Sequence, residues 1–143
     1  MLEKFSLKNK NVIITRAVTH YFIKIPNNEI ISEKKEVVVV ESVGDMLALW
    51  DVGIKNSVVT FGLDISKEML SSFLRFKVKK VILSFNNDEA SNSAGNEAAK
   101  KNERKLLRYF DKNQVRICFP TKNDFGEMSK EEIKEWGKNT LYE

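Results

Sequence analysis

The sequence contains few of the residues that mark several common classes of protein. Its 143 residues include one cysteine, one histidine, two prolines and six glycines. Cys118 has no second cysteine for an internal disulfide, and one Cys with one His cannot supply the ligands of a structural zinc site. No apolar run approaches the roughly 18 residues of a membrane helix, and no signal-peptide segment opens the chain. We therefore expect a protein of the reducing cytoplasm that does not interact with membranes.

The charge is distributed unevenly along the chain. Hydrophobic residues make up 42% and charged residues 31%, a composition typical of one globular domain. Residues 1–35 contain seven Lys or Arg against three Glu, whereas residues 36–143 contain seventeen of each sign. The basic excess could favour a polyanion such as nucleic acid, but it is equally typical of exposed lysines on strands.

Two parts of the chain differ in pattern. Residues 1–35 contain short extended segments at 11–15 and 21–25, and a third at 29–32, with a turn at 26–28. We predict that residues 1–35 form an N-terminal β extension and residues 36–143 the main domain.

From residue 36 onward, apolar strands alternate with amphipathic helices. The predicted strands are 37–40, 57–61, 80–85 and 115–119, and the predicted helices are 44–50, 66–76, 94–110 and 129–136. Strands that are apolar on both faces and separated by helices predict an α/β fold with a four-stranded parallel sheet flanked by helices. Ligands bind such sheets at the carboxyl ends of the strands.

Oxygen-bearing side chains follow three of these strands. Glu41 comes directly after four valines, with Asp45 at the start of the next helix. Asn86 and Asp88 follow the third strand, and Asp124 lies in the loop after the fourth. Carboxylate and amide oxygens suit a hard cation such as Mg²⁺ or Mn²⁺, so these five residues are the candidate metal ligands. Asp45 could instead cap its helix, and Asp124 could belong to an ordinary polar loop.

Other polar residues could contact phosphate or nucleic acid. Ser93 could present backbone amides at the start of the long helix, and Lys122 could contact phosphate. Lys101, Lys105 and Arg108 lie along one stripe of that helix and could follow a nucleic-acid backbone. Each also fits a plainer interpretation: Ser93 as a capping residue, Lys122 as part of an ordinary polar loop, and the basic stripe as a solvated helix face.

Residues 36–136 resemble the Toprim domain, the catalytic fold shared by DNA primases, type IA and II topoisomerases and several nucleases. The family has a Glu after one apolar strand and an Asp-x-Asp after a later one, and this chain has Val40-Glu41-Ser42 and Asn86-Asn87-Asp88. The helix at residues 95–99 and the segment at residues 120–128 are similar to the primase branch, including phage primases. The resemblance implies a Toprim, Rossmann-like fold.

The chain departs from the family pattern at two positions. Ser42 replaces the usual Gly after Glu41, and Asn86 replaces the first Asp of Asp-x-Asp. An asparagine can ligate Mg²⁺ through its amide oxygen but brings no negative charge. We therefore expect a site that binds metal more weakly than the usual family site.

The resemblance implies DNA primase chemistry, which is Mg²⁺- or Mn²⁺-dependent nucleotidyl transfer that makes RNA primers in DNA replication. It makes Glu41 the catalytic residue that assists an attacking 3′-hydroxyl, and it makes single-stranded DNA template and NTPs the partners. Residues 1–35 are too few to grip a template, so a helicase or further primase domains would be needed. The alternatives are a small Toprim nuclease, or a catalytically weakened Toprim module that binds nucleic acid or a replication partner. A phage-encoded chain would work in the cytoplasm of its bacterial host.

Overall fold

The computed structural model describes residues 2–7, 10–15 and 27–141. The first two strands, β1 (Leu2–Leu7) and β2 (Lys10–Thr15), form an antiparallel pair of their own, with Leu2 opposite Thr15. The predicted strand at 11–15 is confirmed by β2, whereas the predicted strand at 21–25 lies outside the described residues.

The predicted extended segment at 29–32 is wrong. Residues Asn27–Lys34 form a helix, α1, with Glu29 in its first turn and Lys34 in its last. Each of these charges interacts favourably with the helix macrodipole at its end of α1, and Ile31 is fully buried in the core. The short apolar pair at this point fits a strand and a helix equally well, and tertiary packing decided between them.

The four-stranded parallel sheet is confirmed. Its strands are β3 (Glu36–Val40), β4 (Ser57–Val59), β5 (Lys80–Leu83) and β6 (Val115–Ile117). They lie in the order β4-β3-β5-β6, and every neighbouring pair is parallel. Regular pairing ends two residues earlier than predicted in β4, β5 and β6. Single backbone bonds continue beyond it, since Ser84 N donates to Val39 O and Cys118 N donates to Leu83 O.

Helices cover both faces of the sheet. They are α2 (Val43–Asp51), α3 (Lys67–Arg75), α4 (Ala94–Leu106) and α5 (Lys130–Leu141). Val37 and Val39 of β3 face the core shared with α1, α3 and α4, whereas Val38 and Val40 face the core shared with α2 and α5. The run of four valines therefore serves two cores at once, as expected of a central parallel strand.

Two helices begin at the capping residues that the sequence predicted. Ser66 Oγ accepts from Met69 N at the start of α3. Ser129 and Glu132 form a reciprocal capping box before α5, with Glu132 N donating to Ser129 Oγ and Ser129 N donating to Glu132 Oε2. α4 ends at Leu106, before the predicted 110, and α5 continues to Leu141, beyond the predicted 136. In the described part of the chain, no helix is both long and apolar enough to cross a membrane.

Candidate functional site

Glu41 directly follows β3 and is partly buried, and the charges of two other carboxylates act on it. Burial raises the pKa of its carboxyl group above 4.5, a backbone interaction with Asn86 opposes the shift, and the charges of Asp88 and Asp45 raise it further. Glu41 Oε1 is buried and has no hydrogen-bond partner among the described residues. An oxygen removed from water with its lone pairs unmet carries a cost that a cation would relieve.

Asp45 is buried at the start of α2, and both of its oxygens have partners. Oδ2 accepts from the Ser42 hydroxyl at 2.7 Å, and Oδ1 accepts from Phe125 N at 3.0 Å. Burial raises the pKa of Asp45, the Ser42 hydroxyl opposes the shift, and the charge of Asp124 adds to it. The N-cap of α2 is Ser42, whose Oγ accepts from Asp45 N. Asp45 therefore joins α2 to the loop that follows β6.

Asp88 occupies the amino end of α4. Its Oδ1 lies 3.0 Å from Gly95 N and 3.4 Å from Asn96 N, and its Oδ2 lies 3.1 Å from Gly95 N. Ser93, at the N-cap position, has a left-handed backbone with φ of 57° and makes no side-chain cap bond. The Ser93 amide, which we expected to be available to phosphate, donates instead to the main-chain carbonyl of Asp88 at 3.0 Å, while the Gly95 and Asn96 amides bond to the Asp88 carboxylate.

The loop of Asn86 and Asn87 is bonded to the loop after β6. Asn87 N donates to Asn123 O at 2.7 Å, and Asn87 Nδ2 donates to Pro120 O at 3.2 Å. Asn96 Nδ2 donates to Asn87 Oδ1 at 3.3 Å, which links both loops to α4. These bonds hold the exits of β5 and β6 together at one edge of the sheet.

Gly95 is a residue that sequence reasoning missed. A Cβ at this position would lie 2.3 Å from Asn86 O, so the first turn of α4 approaches the backbone after β5 more closely than any side chain allows. A glycine inside an otherwise helix-favouring segment was the signal that could have found it. Gly95 sets the position of Asn86 relative to Asp88.

Asp124 and Lys122 lie in the loop between β6 and α5. Asp124 Oδ1 accepts from Glu127 N at 2.9 Å and caps a short 3₁₀ turn (Phe125–Glu127). Lys122 Nζ pairs with Glu132 Oε2 at 3.1 Å and donates to Glu127 O at 3.3 Å. Lys122, which we expected to contact phosphate, therefore already has a carboxylate partner.

Two lysines of the basic stripe on α4, which we predicted to bind nucleic acid, form ion pairs with an acidic residue. Asp64 pairs with Lys105 at 3.2 Å and with Lys101 at 3.8 Å. Lys105 Nζ also donates to Ile65 O, so this lysine helps to hold the loop after β4. Arg108 is exposed beyond the end of α4.

The side-chain oxygens at this edge of the sheet are suitable ligands for a hard divalent cation. In the part of the chain that the structure describes, no three Asp, Glu, His or Cys side chains are grouped closely enough to hold a metal ion by themselves. Mg²⁺ is usually held by one or two protein carboxylates, with water and substrate phosphates as the other ligands. The buried Glu41 Oε1, which has no hydrogen-bond partner among the described residues and lies within the influence of the charges of Asp88 and Asp45, fits that mode of binding.

Sequence comparison places most of the sheet and its helices in a known family. The model of the Toprim-like family matches residues 38–129. A DNA primase of Campylobacter jejuni is 31% identical over 96 residues, which covers 67% of this chain and 16% of that primase. The chain thus spans about a sixth of the relative that it matches.

Solved primase structures share the fold. A primase domain from Pseudomonas aeruginosa is 29% identical over 65% of this chain and 28% of that chain, with a TM-score of 0.54. The Aquifex aeolicus primase, solved as its zinc-binding and RNA polymerase domains, is 26% identical over 98% of this chain and 33% of that chain, with a TM-score of 0.57. The RNA polymerase domain of Mycobacterium tuberculosis primase is 16% identical with a TM-score of 0.60, over 92% of this chain and 46% of that one, and shows likeness of fold alone. This chain belongs to the Toprim-like family, and its domain is a Toprim domain of the DNA primase type.

Proposed function

We propose that this Toprim domain carries out Mg²⁺- or Mn²⁺-dependent nucleotidyl transfer in the synthesis of RNA primers. Glu41 supports the proposal most directly, because its Oε1 is buried without a partner among the described residues, and because burial, with a smaller contribution from neighbouring carboxylates, raises its pKa. Carboxylates arranged in this way are costly for a fold and are typical of functional sites.

In the proposed reaction, a primer 3′-hydroxyl attacks the α-phosphorus of an NTP. The new P–O bond forms as the bond to the bridging oxygen breaks, and pyrophosphate leaves. The raised pKa of Glu41 makes its carboxylate a better acceptor for the hydroxyl proton. Divalent cations would neutralise charge on the phosphate oxygens. Carboxylates among Glu41, Asp88 and Asp124, with the amide oxygen of Asn86, would hold them only together with water and the substrate phosphates.

Asp45 would act at this site mainly by holding other residues in place. Both its oxygens bond within the protein, and one of those bonds fixes Phe125, next to Asp124. Phe125 in turn packs edge-on against Trp136 of α5, with ring centroids 4.8 Å apart. Asp45 would therefore act as a metal ligand only through the lone pairs that these two bonds leave over.

The proposed partners follow from the relatives of the chain. The substrates would be a single-stranded DNA template and NTPs, and a helicase or further primase domains would hold the template. Among the structural relatives, one M. tuberculosis primase domain was solved with double-stranded DNA and one phage T7 primase fragment comes from a primase-helicase. The division at residue 35 and the cytoplasmic location belong to the same proposal.

The test is a primer-extension assay with a labelled primer, template, NTPs and Mg²⁺, supplemented with the remaining domains or the helicase where these are known. We expect extension by the wild type and a loss of about 100-fold or more in Glu41→Gln, as for removal of a general base. Glu131→Gln, an exposed glutamate of α5, is the matched control. Shortened strands in place of extended ones would show a nuclease, and products unaffected by Glu41→Gln would overturn the proposed role of the site.

A weakened binding module is the second candidate, and specific features favour it. Asn86 brings no charge, and the oxygens of Asp88 and Asp45 are engaged by protein donors. Under this alternative, the wild type is inactive and Asn86→Asp restores measurable extension. Activity in the wild type excludes this candidate.

A further inference from the structure

The parallel sheet separates acidic from basic residues between its two edges. Seven Asp or Glu and one Lys lie in the segments that leave the strands at the carboxyl edge, at residues 41–45, 60–66, 84–93 and 118–129. Nine Lys or Arg and four Asp or Glu lie in the segments that enter the strands at the amino edge, at residues 33–36, 51–56, 75–80 and 107–114. Since residues 36–143 contain seventeen charges of each sign, the separation is a property of the fold.

An exposed lysine precedes every strand of the sheet. In the strand order β4-β3-β5-β6, these residues are Lys55, Lys34, Lys79 and Lys112. Because neighbouring strands lie about 4.8 Å apart, the row extends for roughly 15 Å, the length of about four phosphates in a B-form strand. Three more exposed bases lie in the same segments, namely Arg75, Lys77 and Arg108. We call these seven residues the basic edge.

Hydrogen bonds to the main chain fix the middle of the basic edge. Lys79 N and Lys80 N both donate to Lys35 O, at 2.7 and 3.1 Å. Lys35 Nζ donates to Phe76 O at 3.0 Å. The end of α1 is thus joined to the segment between α3 and β5, and the bases on these two segments are held near one another.

The protein does not neutralise the basic edge. Within residues 27–141, none of its seven bases forms an ion pair, whereas four other lysines each pair with a carboxylate, namely Lys80, Lys101, Lys105 and Lys122. Only three exposed acids lie in the same segments: Glu33, Asp51 and Asp111. Residues 1–26 contain five Lys or Arg and one Glu, so their composition adds no excess of acid. Like charges held together without counter-charges repel one another and favour an anionic ligand.

Lys77 occupies a position at which glycine is usual. Its φ is 55°, in the left-handed region, and it directly follows the C-cap of α3. Glycine adopts this conformation without strain because it has no Cβ. Stabilisation of the helix dipole accounts for a base in the last turn, such as Arg75, but this effect falls off beyond that turn. Lysine at position 77 therefore costs backbone strain that no ion pair in the described part of the chain offsets.

We propose that the basic edge binds the phosphate backbone of a nucleic acid, at a second site opposite the candidate catalytic site. The five residues of β3 separate the two edges by about 16 Å. This distance exceeds the Debye length of about 10 Å at 0.1 M salt, so the carboxylates of the other edge repel a phosphate here only weakly. Lysines that contact phosphates bind by counterion release and read no sequence.

The choice of nucleic acid over an acidic protein as the ligand rests on the proposed function. The basic edge itself requires neither a metal ion nor Glu41. Single-stranded and double-stranded DNA present the same phosphate chemistry, and the experiment distinguishes them.

The experiment titrates the whole chain against three labelled probes by fluorescence anisotropy, in EDTA, between about 50 and 200 mM salt. The probes are a single strand of twelve thymidines, a DNA duplex of twelve base pairs, and a peptide of twelve glutamates. The test variant is Lys77→Ala/Lys79→Ala. The matched control is Lys67→Ala/Lys130→Ala, which removes the same charge from exposed lysines that begin α3 and α5. Circular dichroism and thermal unfolding check that each variant is folded.

We expect Lys77→Ala/Lys79→Ala to weaken binding of one or both DNA probes about tenfold and to make the salt dependence shallower by about two phosphate contacts. The control variant should bind like the wild type. A loss for the thymidine strand alone assigns a single strand to the basic edge, and a loss for the duplex alone assigns double-stranded DNA. The single variant Lys77→Gly should melt at a higher temperature than the wild type and still bind DNA more weakly, which a purely structural role of Lys77 does not produce.

Three results overturn the proposal. Equal weakening by the two double variants shows that net charge alone attracts DNA. A glutamate peptide bound as tightly as DNA, and lost in the same variant, assigns the edge to an acidic protein. A wild type that binds neither DNA probe at about 50 mM salt removes the site. Because EDTA and the absence of NTPs leave the carboxyl edge inactive, these failures are distinct from a failure of the proposed function, which the primer-extension assay tests.

Discussion

Asp45 Oδ1 accepts a hydrogen bond from Phe125 N at 3.0 Å, although the two residues are 80 positions apart in the chain. This bond joins the amino end of α2 to the loop that carries Asp124. It brings the Asp45 carboxylate close enough to Asp124 for their charges to interact. Burial is the main cause that raises the pKa of Asp45, and this interaction adds to it. The arrangement of the carboxyl edge depends on this contact between α2 and the loop after β6.

Replacing Asp45 should separate its role as an acceptor from its charge. We expect Asp45→Ala to lower the free energy of unfolding by about 1–3 kcal/mol, because Phe125 N and the Ser42 hydroxyl lose their acceptor. Asp45→Asn keeps an oxygen for Phe125 N and removes the repulsion from Asp124, so it should cost less. Urea denaturation measures both. Asp51→Ala, an exposed residue at the end of α2, is the control and should change little. Equal losses of unfolding free energy in Asp45→Ala and Asp51→Ala would contradict a stabilising role for the Asp45–Phe125 hydrogen bond.

Stability should depend on pH through Glu41 and Asp45. Their pKa values are raised in the folded protein, so the folded state binds protons more readily than the unfolded state. Ionisation of these two groups therefore destabilises the folded protein at pH 7. This destabilisation disappears as the pH falls through the pKa values of the folded state towards the ordinary values, 4.5 for Glu41 and 3.8 for Asp45. Glu41→Gln should be more stable than the wild type at pH 7, with the difference shrinking on acidification. Chemical denaturation between pH 7 and pH 4.5 tests this prediction. A wild type that is more stable than Glu41→Gln at pH 7 would contradict it.

Gly95 and Gly44 provide a matched pair of helix glycines. A Cβ at Gly95 would meet Asn86 O at 2.3 Å, whereas a Cβ at Gly44 meets nothing nearer than Ser42 Oγ at 3.7 Å. We expect Gly95→Ala to destabilise the protein by about 1–3 kcal/mol through displaced backbone. Gly44→Ala should be neutral or slightly stabilising, because alanine favours the helix. Thermal unfolding of both variants decides, and similar melting temperatures would show that the close approach at Gly95 is unimportant.

Restoring a charge at Asn86 should strengthen metal binding. We expect Asn86→Asp to bind Mg²⁺ about tenfold or more tightly, since affinity for hard cations rises with the number of charged ligands. Calorimetric titration with Mg²⁺ measures the change. Asn92→Asp, an exposed residue of the same loop, is the control and should leave the affinity unchanged. Equal affinities in the wild type and Asn86→Asp would place the metal elsewhere.

Lys105 should contribute to the stability of the fold, whereas Arg108 should contribute to the binding of nucleic acid. Lys105 bonds to Asp64 and to Ile65 O, so Lys105→Ala should lower stability by about 1 kcal/mol. Arg108→Ala should leave stability unchanged and weaken binding of single-stranded DNA, with a shallower dependence on salt. Melting temperatures and fluorescence anisotropy at two salt concentrations measure these effects. DNA binding that is indifferent to Arg108→Ala would remove the stripe on α4 from the proposed interface.

The local pattern of the sequence determined the order of the elements. Four valines, each fully buried, predicted β3 as a central strand, and Glu41 at its end predicted the edge where ligands bind. Ser129 and Glu132 predicted the start of α5. These features could be predicted because each depends on residues within a few positions of one another, where hydrophobic period and side-chain capping act directly.

Tertiary structure alone decided the features that depend on distant residues. It made residues 29–32 helical by burying Ile31, and it placed Gly95 against the Asn86 backbone. It also gave Asp45 the amide of Phe125, and gave Lys105 the carboxylate of Asp64. No local pattern predicts such partners, because they meet only when the sheet has formed and the loops at its carboxyl edge have packed. The sequence by itself determined which strands and helices form and which carboxylates reach the edge, and packing between elements far apart in the chain determined what each carboxylate contacts there.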